Sequence, residues 1–103
     1  MDATRINGKE LDILRFMKNN GFPVFHMSNI FLRDIQYGIR DYFRATERID
    51  IGSRESDACA HAMISGFERQ GILVPFRTNT WILHLEEFLN PPKVEEKKAE
   101  AAA

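Results

Sequence analysis

The chain has 103 residues, 44% hydrophobic and 28% charged, with a formal net charge of −1 at pH 7. That length fits one small domain. The near-neutral charge excludes a global field drawing the protein to a polyanion, so any nucleic-acid contact has to come from a local basic patch.

The single cysteine, Cys59, cannot form an internal disulfide and sits in an apolar helical stretch, where it reads as a small buried hydrophobe. No apolar run approaches the roughly 20 residues needed to span a bilayer. Met1–Glu10 is polar and lacks the apolar core of a signal peptide, so the expected setting is cytoplasmic and reducing.

Asn7 followed by Glu10 has capping-box spacing and opens the first predicted helix. Leu11, Leu14 and Met17, flanked by Ile13 and Phe16, recur at helical spacing, and Asn19-Asn20-Gly21 ends the pattern, with Gly21 suited to left-handed backbone. Pro23 forces Phe22 out of the α region, so Phe22–Phe25 is expected to be a short extended segment. Ser28 is expected to cap a second helix running to about Ala45, with Phe31, Leu32, Ile35, Ile39, Tyr42 and Phe43 on one face. Gly38 is expected to interrupt or weaken that helix, by about 1 kcal/mol relative to Ala.

Arg48–Gly52 reads as a turn, and Ser53 as the cap of a third helix. Its inward face is Cys59, Ala60, Met63 and Phe67, flanked by Ile64 and Gly66, and Gly71 ends it. Two apolar runs follow, Ile72–Phe76 and Trp81–Leu85, joined by Arg77-Thr78-Asn79-Thr80, the pattern of a β-hairpin. Val74, Phe76, Ile82 and Leu85 are its expected core contacts. Pro75 marks an edge strand or a bulge, and Asn79 is the loop residue best suited to positive φ. Glu86–Asn90 is expected to form a short turn. Pro91-Pro92 then closes a domain of residues 1–90, leaving a charged, Ala-rich tail over 91–103 with almost no apolar anchor.

The outward face of the third helix carries Arg54, Asp57, Ala58, His61, Ser65, Glu68 and Arg69. Arg54, Asp57 and His61 in its leading half have the chemistry of base-edge contacts, Arg54 toward guanine above all. Glu55, Asp57 and Glu68 oppose this with negative charge, and a solvated face with charge partners one turn away is the competing account. Arg77, Thr78 and Asn79 offer one cation and small hydrogen-bonding groups for phosphate contact. Arg33, Tyr37, Arg40 and Arg44 form a stripe along the second helix, suited to phosphates or to an acidic protein partner. Trp81 reads first as core, and with Phe88 as a candidate subunit contact. His26, His61 and His84 read as three solitary histidines, and no metal set, cofactor motif or catalytic constellation stands out, so the chain is read as a non-enzyme.

The order helix, short strand, helix, turn, helix, hairpin over residues 7–90, with FERQGILVPFRTNTWILHLEEF at its end, resembles the winged helix-turn-helix superfamily. The resemblance implies an α+β fold of three helices plus a C-terminal β-hairpin wing. It also implies that the third helix enters a major groove of double-stranded DNA while the wing touches the backbone, a role in transcription regulation as a homodimer. The alternative is a protein-interaction module that docks a partner through the Arg/Tyr face of the second helix. No cofactor and no membrane contact are expected.

Overall fold

A computed structural model describes residues 3–88, so the expected tail and the last residues of the expected terminal turn lie outside the described residues. It is an α+β arrangement of three helices and a three-stranded antiparallel sheet. A 3-10 turn, Ala3–Ile6, leads into α1 (Glu10–Asn19), β1 (Asn29–Phe31), α2 (Leu32–Glu47), α3 (Ser53–Arg69), β2 (Leu73–Arg77) and β3 (Thr80–Leu83). A second 3-10 turn covers Glu86–Phe88. The sheet order is β1-β3-β2, so the hairpin strand β3 is central and both other strands are edges.

The inner layer follows the apolar periodicities. Ile13, Leu14 and Met17 of α1, Ile35, Ile39 and Phe43 of α2, and Cys59, Ala60, Met63, Ile64 and Phe67 of α3 are buried together. Each large side chain removed from water stabilises the fold by roughly 1.5–3 kcal/mol. Gly21 and Gly71 adopt positive φ of 92° and 76° where α1 and α3 end, as their sequence positions require.

Several boundaries differ from the sequence reading, each for a local reason. The first α-helix starts at Glu10 rather than Asn7, and Lys9 precedes it without a side-chain cap. Ile6 is buried in the core from the 3-10 turn instead. The extended segment falls at Asn29–Phe31, not Phe22–Phe25, and Ser28 does not cap α2. The Ser28 hydroxyl closes a turn, donating to the Phe25 carbonyl at 2.7 Å and accepting from the Phe25 amide at 3.1 Å. The backbone beyond it joins the sheet, with Leu83 N–H donating to the Ser28 carbonyl at 3.1 Å. Pairing with β3 satisfies groups that a helix start would have left open, and α2 begins only at Leu32.

Gly38 does not interrupt α2. It is buried inside the helix, where a Cβ would lie 2.4 Å from the Met17 sulfur. The missing side chain lets α1 and α2 close on each other, a packing role that outweighs its poor helix propensity.

The hairpin turns its other face to the core. Leu73, Trp81 and Leu83 are buried, together with Ile30 of β1, whereas Val74 is 40% and Phe76 51% exposed. Ile82 and Leu85 are only partly covered. The inward positions share one parity through the register Ile30↔Trp81 and Leu73↔Leu83. Between Pro75↔Trp81 and Arg77↔Thr80 the register skips Phe76, a bulge on an edge strand beside the proline. Phe31, expected on the core face of the second helix, is 45% exposed on the outer side of β1. Trp81 and Phe88 are buried within the chain, which removes both from the list of subunit contacts. Among the described residues, no helix is long and apolar enough to cross a membrane.

Candidate functional site

The start of α2 is the junction of three elements. Its first amide, Leu32 N–H, donates to the Asn79 carbonyl at 3.0 Å, which ties the hairpin turn to the helix. Asn79 holds φ 55°, the left-handed geometry that the turn needs and that Asn tolerates. One turn along α2, Gln36 Nε2 donates to Asp57 Oδ1 at 2.6 Å, which joins α2 to the leading half of α3. An open cleft between α2 and the hairpin turn is lined by Phe31, Arg33, Tyr37 and the residues Thr78 to Thr80, with Asp34 the one carboxylate in its lining. Burial pushes the Asp34 carboxyl above the usual carboxylate range, and the neighbouring Arg33 only partly opposes this.

Along α3, Arg54, His61, Ser65, Glu68 and Arg69 are exposed, spaced so that they form one stripe. Asp57 and Ala58 are half-buried at its edge. The acids of this helix are engaged with other elements. Glu55 pairs with Arg5 at 2.6 Å, and Glu68 accepts the Trp81 indole N–H at 2.7 Å. Asp57 holds Gln36 and also stands 3.4 Å from His61 Nε2. These long-range partners were invisible in the sequence, where only neighbours one turn away could be weighed. Of the competing local account, the Asp57–His61 pair is present, at i,i+4.

The basic stripe of α2 divides. Arg44 is compensated by Asp50 at 3.1 Å and Asp41 at 3.9 Å. Arg33 and Arg40 make no ion pair among the described residues, and Tyr37 between them is 50% exposed. The same holds for Arg54, Arg69 and Arg77; the Arg77 guanidinium lies 4.7 Å from the centre of the Phe76 ring. Thr78 and Asn79 are exposed beside it. Thus α2, α3 and the hairpin turn present Arg33, Arg40, Arg54, Arg69 and Arg77 with no carboxylate of the described residues in salt-bridge range.

The histidines are not all solitary. His26 and His84 meet edge to face with ring centres 6.3 Å apart, and His26 Nδ1 accepts the Leu85 amide at 2.9 Å. That bond, with His26 N–H donating to the Phe88 carbonyl at 2.8 Å, anchors the end of the described chain. No group of three or more His, Cys, Asp or Glu side chains able to hold a metal comes together among the described residues. The fold and site define a small α+β domain with an arginine-bearing surface. Comparison with protein-family models, with curated proteins and with solved structures finds no match.

Proposed function

We propose that this domain is a winged helix-turn-helix that binds double-stranded DNA, with α3 against base edges and the hairpin as a wing. The observation that carries the reading is a set of five arginines, distributed over α2, α3 and the turn, that make no ion pair among the described residues. A chain of net charge −1 has no general pull on DNA. It can still engage phosphates where its cations are left uncompensated. In this reading Arg54 and His61 face the groove, with Asp57 orienting His61, while Arg33, Arg40, Arg69 and Arg77 lie on the backbone. The strand order β1-β3-β2 and the helix–strand–helix–helix–hairpin sequence support the superfamily assignment.

Fluorescence anisotropy with a mixed-sequence duplex tests it. Binding is expected at about 50 mM salt and should weaken steeply as salt rises, because each phosphate contact releases counterions. Arg54→Ala with Arg69→Ala should lower the salt slope by about 1, for the phosphate contact of Arg69, and weaken binding further through the lost base contact of Arg54. Unchanged affinity in that variant, or no binding at low salt, would sink the reading.

A second reading, a protein-interaction winged helix, is favoured by Tyr37. A half-exposed tyrosine between two uncompensated arginines has hot-spot composition. If Tyr37→Ala retains every protein partner that the parent chain captures, that alternative goes.

A further inference from the structure

We infer that the outer face of the sheet beside the hairpin turn is a stacking platform for the unpaired bases of single-stranded nucleic acid, with Arg33 and Arg77 holding its phosphates. The inference does not rest on base reading by α3, although Arg33 and Arg77 serve the phosphates in both.

Side chains alternate across the sheet, so the row Phe31↔Thr80↔Arg77 lies on the opposite face from the buried pair Ile30↔Trp81. Phe31 stands on one edge strand and Phe76 in the bulge of the other, each about half-exposed, with Thr80 between them only 5% exposed. Two exposed phenyl rings on a sheet are unfavourable in water, and here they are not isolated. Arg77 already lies over the Phe76 ring, and Arg33 shares the adjoining cleft with Phe31. Aromatic faces beside arginines, with Asp34 the one carboxylate lining the cleft at Phe31, match a ligand that is both planar-aromatic and anionic.

Size decides against a protein occupant. Three strands spaced about 4.8 Å, each about four residues long, give a face of roughly 14 by 14 Å, or about 200 Å². A stable protein interface needs about 800 Å² per partner, so a second copy of this chain seated here would fall short. One or two bases cover such a face well, and the strand between them passes the arginines.

The test compares labelled strands of about ten nucleotides, within the usual footprint of such platforms. Oligo(dT), oligo(U), a duplex and an abasic deoxyribose-phosphate strand are titrated into the full chain by anisotropy. Oligo(dT) or oligo(U) is expected to bind and the abasic strand to bind at least tenfold more weakly, and the tighter of the two base-bearing strands identifies DNA or RNA as the source. Phe31→Leu and Phe76→Leu, which keep apolar volume but remove the π face, should each weaken single-strand binding about fivefold or more. Phe76→Trp should retain binding, and its exposed indole emission should be quenched as bases stack. Equal binding of the abasic strand, or full binding by both leucine variants, overturns the platform. Arg54→Ala with Arg69→Ala should leave single-strand binding intact. Loss of duplex binding alone in the Arg54/Arg69 variant therefore speaks to α3, and loss of single-strand binding in the leucine variants to the sheet.

Discussion

Gly38 shows how one missing methyl sets the distance between two helices. Its backbone lies against the Met17 thioether, and Met17 is fully buried. Gly38→Ala gains about 1 kcal/mol of helix propensity. It also forces overpacking that typically costs about 1–3 kcal/mol. The expected net effect is destabilisation by about 1 kcal/mol, read as a lower urea midpoint at unchanged m-value. The sign should reverse in a Met17→Ala background, where the added methyl fills space instead of colliding; destabilisation in both backgrounds would refute the contact as the cause. From the sequence, Gly38 could be priced only as a helix residue, because the atom it accommodates is 21 positions away.

At the scale of elements, termination was more legible than position within a sheet. Gly21, Gly71 and Asn79 occupy positive φ as their local chemistry requires, and the apolar faces of α2 and α3 follow a 3.6-residue period that survives small boundary errors. Strand parity does not survive such errors. A period of two inverts with a one-residue slip, and the bulge at Phe76 and the proline beside it hid which face of β2 turns inward. The three-residue β1 has no periodicity of its own to distinguish it from the helix that follows; what makes it a strand is its ladder with β3, about 50 residues later. The hairpin turn gives the matching prediction. Asn79→Val places a β-branched residue at φ 55° and should destabilise by about 1–2 kcal/mol, whereas Asn79→Gly should stay within about 0.5 kcal/mol of the parent. Equal stability of the two variants in urea denaturation would mean that the turn does not hold this geometry in solution.

The whole molecule is closed by a polar clasp between its first helix and its last described turn. Arg15 of α1 donates to Glu87 through two guanidinium nitrogens, Nε to Oε2 and Nη2 to Oε1 at 3.1 Å. Hydrogen bonding by Arg15 holds the Glu87 carboxyl below its ordinary value of 4.5. A carboxyl whose folded value is depressed contributes stability above its unfolded value, and that contribution is lost as pH falls through the folded value. The pair is partly solvated, so the effect is small. Melting of the parent and Glu87→Gln should therefore differ at pH 6 to 7 and converge toward pH 3; a gap that persists at pH 3 would assign the difference to something other than ionisation. Of the candidate site, the arginines and the turn residues were legible from the sequence. The engagement of Glu55, Asp57 and Glu68 by Arg5, Gln36 and Trp81 was not, since each bond spans separate elements.

The bond from Leu32 N–H to the Asn79 carbonyl makes the hairpin turn a strut and not a flap. A loop that must settle before it can grip spends ordering entropy on every encounter, whereas this one meets a ligand with its backbone already in place. The exchange rate of a single amide proton, that of Leu32, is then a gauge of how often the strut lets go.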